Sequence, residues 1–241
     1  MTDRLPGLSF FFPARNEELN VQPSVTRALE VLPALADRLE ITIVDDGSTD
    51  RTGEIADALA REDARVRVIR NRPGRGYGGA VRAGLMAATQ PFVAFTDGDL
   101  QFDVADFGRL AAAMAPGVDA VIGYRIKRAD PWRRLVIAAV YNLVIRILFA
   151  GGWRDVDCGF KLFRADVFER VPLERVRSNG AFFSAELLIN LRASGIVMRE
   201  VGLPHHPRLH HEPKGAPPKV ILKAIRDLLL LRLSLWLRRP R

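Results

Sequence analysis

A mainly parallel, doubly wound α/β sheet flanked by helices is the fold class that the sequence predicts, and three observations predict it. Short apolar runs alternate with amphipathic stretches, the rhythm of repeated strand-helix units. Polar motifs rich in Asp and Gly follow several of those runs directly, which is where open α/β sheets gather their ligand-binding loops. The chain of 241 residues, 48% of them hydrophobic, is long enough to bury one sizeable core, so one domain with a tail is expected.

The elements follow in order. Residues 8–12 (Leu-Ser-Phe-Phe-Phe) read as the first strand, 20–36 as a helix and 41–44 (Ile-Thr-Ile-Val) as the second strand. A helix over 52–61 comes next, with Ser48, Thr49 or Asp50 available as its cap. A strand at 66–69, a helix near 78–88, a strand at 92–95, a helix at 104–114 and a strand at 118–122 complete the pattern. Beyond that point the stretch 204–218 reads as an irregular loop rich in Pro and His.

The most informative motif is Asp97-Gly98-Asp99, directly after the apolar run Phe92-Val93-Ala94-Phe95. If that run is a buried strand, both carboxylates emerge at its carboxyl end, where a hard divalent cation bridging two phosphates is well held by oxygen. Taken alone, Asp-Gly-Asp is also an ordinary solvated turn. Two further motifs sit at strand ends: Pro13-Ala14-Arg15-Asn16-Glu17 after the first strand and Val44-Asp45-Asp46-Gly47-Ser48-Thr49-Asp50 after the second. The first could line a base or ribose pocket or simply cap a helix. In the second, Ser48 to Asp50 serve as caps, but Asp45 and Asp46 precede the turn and repel unless a cation or hydrogen-bond donor is near. The stretch Asn71 to Gly79 is rich in glycine, yet it lacks the Gly-Lys-Ser/Thr ending of a P-loop and the spacing of a dinucleotide fingerprint. Its glycines are expected to let this loop approach the loop after the first strand.

The ordered series of these motifs resembles the GT-A family 2 glycosyltransferases, and within them the dolichyl-phosphate mannosyltransferase and polyprenyl-phosphate glycosyltransferase group. Support continues through Gly123-Tyr124-Arg125, Asp155-Val156-Asp157-Cys158-Gly159-Phe160-Lys161, Glu186, Arg208 and Lys214, so the likeness covers about residues 8–214. The resemblance implies a GT-A domain over 1–214 followed by a basic amphipathic helix over 215–241. It implies an inverting, Mg²⁺- or Mn²⁺-dependent transfer of a hexose from a nucleotide sugar to a polyprenyl or dolichyl phosphate, with GDP-mannose or a UDP-glucose type as donor. By position, Pro13, Arg15, Glu17, Ile43 and Asp45 would contact the nucleoside, while Asp97, Gly98, Asp99 and Gln101 would hold the diphosphate. Asp97, Asp99 and Gln101 would be the metal set; Arg125, Arg208 and Lys214 would bind the donor's phosphates or sugar; Arg134 would meet the acceptor phosphate. Asp99, Arg125 and Arg134 are the implied catalytic group. The chain departs from the family pattern where Arg15 replaces a frequent Tyr, Gly98 a frequent Ala, and Arg208-Leu-His-His-Glu-Pro-Lys214 an Arg-x-x-Gly-x-Ser-Lys string.

The implied chemistry explains what the chain lacks. A lipid phosphate is already anionic, so a strong general base is unnecessary and no Ser-His-Asp or Cys-His set is required. Transfer to a sugar hydroxyl would instead need Asp155 or Glu186 as base.

Charge and hydropathy speak to partners. The net charge is +8, and residues 199–241 hold ten Lys or Arg against three acids, interleaved with Leu and Ile rather than stacking aromatics. An anionic lipid surface is therefore the expected partner rather than nucleic acid. The apolar run 135–141 is too short to span a bilayer and suits an interfacial or packed helix, as does 219–238 with Trp236 near the headgroups. The lone Cys158 and the absence of a recognisable leader pattern point to a cytosolic setting, peripheral on the membrane face. His205, His206, His210 and His211 lie in one irregular segment beside Pro207, a poor approximation to zinc-ligand spacing, and are expected instead to order around donor phosphate.

Overall fold

The computed structural model describes residues 4–126, 132–149, 152–180, 182–208 and 226–233. Seven strands form one sheet: β1 (Leu8–Ala14), β2 (Leu39–Asp45), β3 (Val66–Arg70), β4 (Phe92–Phe95), β5 (Ala120–Arg125), β6 (Lys161–Arg164) and β7 (Met198–Leu203). Their spatial order is β3-β2-β1-β4-β6-β5-β7. All neighbours run parallel except β6, which is antiparallel to both β4 and β5. The helices are α1 (Val21–Val31), α2 (Thr52–Glu62), α3 (Gly76–Ala87), α4 (Phe107–Ala113), α5 (Trp132–Phe149), α6 (Val167–Arg170) and α7 (Phe183–Ala193). A last helical stretch covers 226–233.

The apolar runs are continuous because both faces of the sheet are covered. Successive side chains of β1 point to opposite faces, so Phe10 and Phe12 enter the layer with α1, α2 and α4, while Phe11 enters the layer with α3 and α7. Phe10 meets Phe107 edge-on at 5.7 Å, and Phe11 stacks on Phe95 at 5.2 Å. All three of these phenylalanines are essentially fully buried.

The nine elements expected in the first half are present. The helix expected over 20–36 ends at Val31, and a 3-10 turn at Leu32–Ala34 follows, because Pro33 cannot donate to an α-helical ladder. The helix expected from residue 104 opens with a 3-10 turn, Val104–Asp106, capped by the Asp103 carboxylate, which accepts from the Ala105 N–H. None of the three candidate caps of α2 sits at the N-cap position, which Arg51 takes without a side-chain cap; Asp50, one residue earlier, accepts from the Thr52 N–H at 3.0 Å in a turn that leads into the helix. The sequence did not announce β6, α7 or β7.

The reversal of strand order falls at β1, which pairs with β2 on one side and β4 on the other. Strand order thus brings the loops after β1, β2 and β4 together at one edge, the position open α/β sheets use for ligands.

Candidate active site

The loops after β1 and β2 are sewn together first. The Asn16 N–H donates to Ser48 Oγ at 3.1 Å, the Thr49 N–H to Asn16 Oδ1 at 2.8 Å, and the Glu17 N–H to Thr52 Oγ1 at 2.8 Å. Glu17 accepts from Asn20 Nδ2 at 2.6 Å, while Arg15 stays exposed and Pro13 half-buried. Ile43 lies wholly within the core layer under α1 and α2 and offers no surface to a nucleoside.

Asp45 and Asp46 escape mutual repulsion by facing different partners. Asp45, fully buried, accepts from the Ser48 N–H at 3.0 Å and from Arg72 Nη2 at 2.8 Å. Asp46 accepts from Asn71 Nδ2, the Arg75 N–H and the Gly76 N–H at 2.9, 2.7 and 2.8 Å. The glycine-rich stretch is therefore fastened to the loop after β2. This corrects the expectation that its glycines approach the loop after β1. A Cβ on Gly74 would lie 2.5 Å from the Asp46 carbonyl oxygen, and one on Gly78 would lie 2.7 Å from Phe183. The physical reason is the strand order, which sets the end of β3 beside β2 rather than β1.

The acids after β4 stand at the centre. The Gly98 backbone crosses the Pro13 carbonyl so closely that a Cβ would sit 2.7 Å from its oxygen, so here the chain has no room for the Ala frequent in the family pattern. Leu100 takes a left-handed φ of 59°, turning the chain so that Asp99 Oδ1 accepts from the Gln101 N–H at 3.2 Å. Asp99 Oδ2 receives Arg208 Nη2 at 2.6 Å. Gln101 faces the segment after β7 rather than the acids: its side-chain N–H donates to the His206 carbonyl at 3.1 Å, and its own carbonyl accepts from the His206 N–H at 2.9 Å. His205 packs edge-on to Phe102 at 5.2 Å. Four contacts thus lay the stretch of chain bearing Arg208 across the acidic loop.

Asp97 is pushed up to about 6, first by burial and then by the charge of Asp99; the Tyr77 hydroxyl, Lys161 and Arg125 oppose the shift. Two carboxylates that resist joint ionisation are well suited to a divalent cation, which supplies the missing positive charge. Oxygen donors of this kind fit Mg²⁺ or Mn²⁺. The Arg208 guanidinium supplies part of that charge to Asp99. Among the described residues no group of three or more His, Cys, Asp and Glu is placed to hold a metal ion, so Asp97 and Asp99 stand without a third ligand of that kind.

Arg125 grips Asp155 with both arms, Nε to Oδ2 at 2.6 Å and Nη2 to Oδ1 at 2.7 Å. Glu186 accepts from the Arg177 and Ser178 N–H groups at 3.0 and 2.7 Å, holding the loop before α7. The Cys158 thiol is buried and pushed up to about 12 by that burial, in keeping with a packed residue. Lys214, His210 and His211 lie outside the described residues, and Arg134 falls in α5 with its side chain outside them.

Two site residues escaped the sequence reading. Lys161 is fully buried, its ammonium donating to the Cys158 carbonyl and lying 5.5 Å from the Phe95 ring centre. Burial lowers its pKa while Asp97, Asp155 and Asp157 oppose that shift. The available signal was a Lys inside the apolar run Phe160-Lys161-Leu162-Phe163, since lysine is rarely buried without partners. The second is Tyr77, whose hydroxyl donates to Asp97 Oδ1 at 3.0 Å.

The strand order, with its acids at the end of β4, defines an α/β protein whose ligand site lies at the switch point of the sheet. Residues 9–171 match the description "Glycosyl transferase family 2", and the chain belongs to that family. It is 33% identical over 229 residues to glycosyltransferase AglD of Haloferax volcanii, covering 92% of this chain and 35% of AglD. It is 32% identical to polyprenol monophosphomannose synthase of Mycolicibacterium smegmatis, across 78% of this chain and 73% of that protein. The chain therefore spans about a third of AglD and about three quarters of the mycobacterial synthase. Glucosyl-3-phosphoglycerate synthase of Mycobacterium tuberculosis, crystallised with Mn²⁺, UDP and phosphoglyceric acid, superimposes with a TM-score of 0.74 at 20% identity, covering 94% of this chain and 78% of that one. That likeness is one of GT-A fold.

Proposed function

We propose that this chain transfers a hexose from a nucleotide sugar to a polyprenyl phosphate at a membrane surface, in a metal-dependent and inverting reaction. The observation that carries the reading is the ion pair of Arg208 with Asp99, next to the buried Asp97, at the switch point of the sheet: acids placed for a cation lie beside a guanidinium placed for phosphate. Asp97 and Asp99 would hold Mg²⁺ or Mn²⁺, with Gln101 turning from His206 to join them. When bound, the ion supplies positive charge to the departing diphosphate. Arg208 then exchanges Asp99 for donor phosphate, a bidentate partner of the same charge. Pro13, Arg15 and Glu17 after β1 bind the nucleoside, with the buried Asp45 holding Arg72 and the turn after β2 behind them; Lys214 assists at the phosphates, Arg125 serves at the donor sugar, and Arg134 receives the acceptor phosphate.

No side chain is asked to take a proton, because a lipid phosphate attacks as an anion. Support comes from the two acids that transfer to a sugar hydroxyl would recruit. Asp155 is committed to Arg125 and Glu186 to two backbone amides, so neither is poised as a base.

The membrane face rests on α5. Ile145 is buried in the core, whereas Val136, Val140, Leu143 and Ile147 form an exposed stripe at helical spacing. Leu229, Leu230 and Leu233 are exposed too, while their neighbours Leu228 and Leu231 share a core cluster with Ile145. Among the described residues no helix is long and apolar enough to cross a membrane. An apolar stripe beside a basic C-terminal segment suits a peripheral enzyme on an anionic, cytosolic leaflet.

GDP-mannose is the first donor to test, since a relative is a polyprenol monophosphomannose synthase, and UDP-glucose the second, since a fold neighbour was crystallised with UDP. The test incubates the protein with a panel of radiolabelled nucleotide sugars, polyprenyl phosphate and Mn²⁺ or Mg²⁺. Label should enter the lipid phase with one donor and vanish with EDTA. Lack of lipid product from every donor would overturn the reading.

A further inference from the structure

We propose that Tyr77 is a positioning residue for Asp97, holding that carboxylate beside Asp99 for the cation and diphosphate; the proposal rests on the function assigned above. Tyr77 lies in the glycine-rich stretch Gly76-Tyr77-Gly78-Gly79, whose composition suggested a phosphate cradle but whose spacing fits none. The structure gives the stretch a different task. Gly76 adopts a left-handed φ of 79° and passes so near the Asn179 carbonyl that a Cβ would lie 2.7 Å from its oxygen. Gly78 lets the Phe183 ring of α7 come up against the backbone of α3. Between them the Tyr77 ring packs on the core cluster beneath the sheet, and its hydroxyl reaches Asp97 Oδ1 at 3.0 Å.

Asp97 is bounded on its other side by Gly159, in the segment leading to β6. A Cβ there would lie 2.2 Å from Asp97 Oδ2 and 2.5 Å from Oδ1, so the carboxylate rests on a bare α-carbon. One wall therefore comes from α3 and the other from the approach to β6, and together they leave the side chain one place to sit. Such a restraint is needed because Asp97 and Asp99 repel, and an unrestrained carboxylate would rotate away from its neighbour. The Tyr77 phenol donates its O–H to the carboxylate. A phenylalanine would fill the same space without that bond.

The experiment measures Mn²⁺ binding to the full chain by electron paramagnetic resonance, with UDP and with GDP, for the wild type, Tyr77→Phe and Gly159→Ala. Losing one hydrogen bond to a charged group should weaken Mn²⁺ binding in Tyr77→Phe about tenfold. In the transfer assay its KM for Mn²⁺ should rise while kcat at saturating Mn²⁺ stays close to wild type, a split that a general loss of fold would not produce. Wild-type binding with an unchanged Mn²⁺ affinity in Tyr77→Phe would overturn the proposal alone. Absence of Mn²⁺ binding by the wild type with either nucleotide would overturn the underlying function as well. If Tyr77→Phe fails to fold, Gly159→Ala decides: displacing Asp97 with Tyr77 intact must also weaken Mn²⁺ binding, and an unchanged affinity overturns the proposal.

Discussion

Asp97 shows how one residue can oppose the fold for the sake of the site. Its carboxyl is raised from the ordinary 3.8 to about 6, so between those values the folded chain binds more protons than the unfolded one. The contribution of Asp97 to stability therefore rises as pH falls from 6 toward 4, and at pH 7 and above the ionised acid costs on the order of 1–3 kcal/mol. Asp97→Asn should accordingly raise the thermal midpoint without metal at pH 7.5 and lose most of that advantage at pH 4, as read by differential scanning fluorimetry at both values. A midpoint that falls at pH 7.5 would mean the acid stabilises the apo fold. The positions of Asp97 and Asp99 were legible, because two carboxylates after an apolar run announce a strand end. Their supports were not, since Tyr77 stands 20 residues away in sequence and Gly159 lies 62 residues from Asp97.

At the scale of elements, α3 lies against β1 at Gly84, where a Cβ would come within 2.2 Å of the buried Phe11 ring. Gly84→Ala sets two effects against each other. Helix propensity favours alanine by up to about 1 kcal/mol. Forcing a fully buried ring aside costs about 1–3 kcal/mol or more and should win. Urea unfolding should show a lower midpoint at an unchanged slope; an equal or higher midpoint would mean that the Phe11 ring moves freely. The first-half elements were readable because each had either alternating or helical periodicity. Helix α7 hid because residues 183–191 are all buried, Glu186 and Asn190 included, which erases the polar face that marks a helix. Strand β6 hid because it is four residues long and carries the buried Lys161, and β7 because it is an edge strand reading Met-Arg-Glu-Val-Gly-Leu.

For the whole molecule, the excess positive charge of the C-terminal stretch and the apolar stripe of α5 point toward one kind of surface. Replacing both Val140 and Ile147, each exposed, with Glu removes two apolar side chains from a membrane contact at about 1.5–3 kcal/mol apiece. Co-sedimentation with vesicles containing anionic phospholipid should fall at least tenfold, while the thermal midpoint changes little because neither residue touches the core. Raised salt should weaken binding of the wild type by screening its basic segment. Equal vesicle binding by the variant would remove α5 from the membrane face.

The sequence by itself determined the parallel α/β architecture, the first five strands and the acidic loops at their ends, because these depend on local periodicity and on residues adjacent in the chain. Only the tertiary structure decided which groups face those acids. Arg208 meets Asp99 across 109 residues, Arg125 meets Asp155 across 30, and β6 reverses direction to bring Gly159 and Lys161 to the end of β4. Such meetings follow from strand order and packing, which no local pattern records.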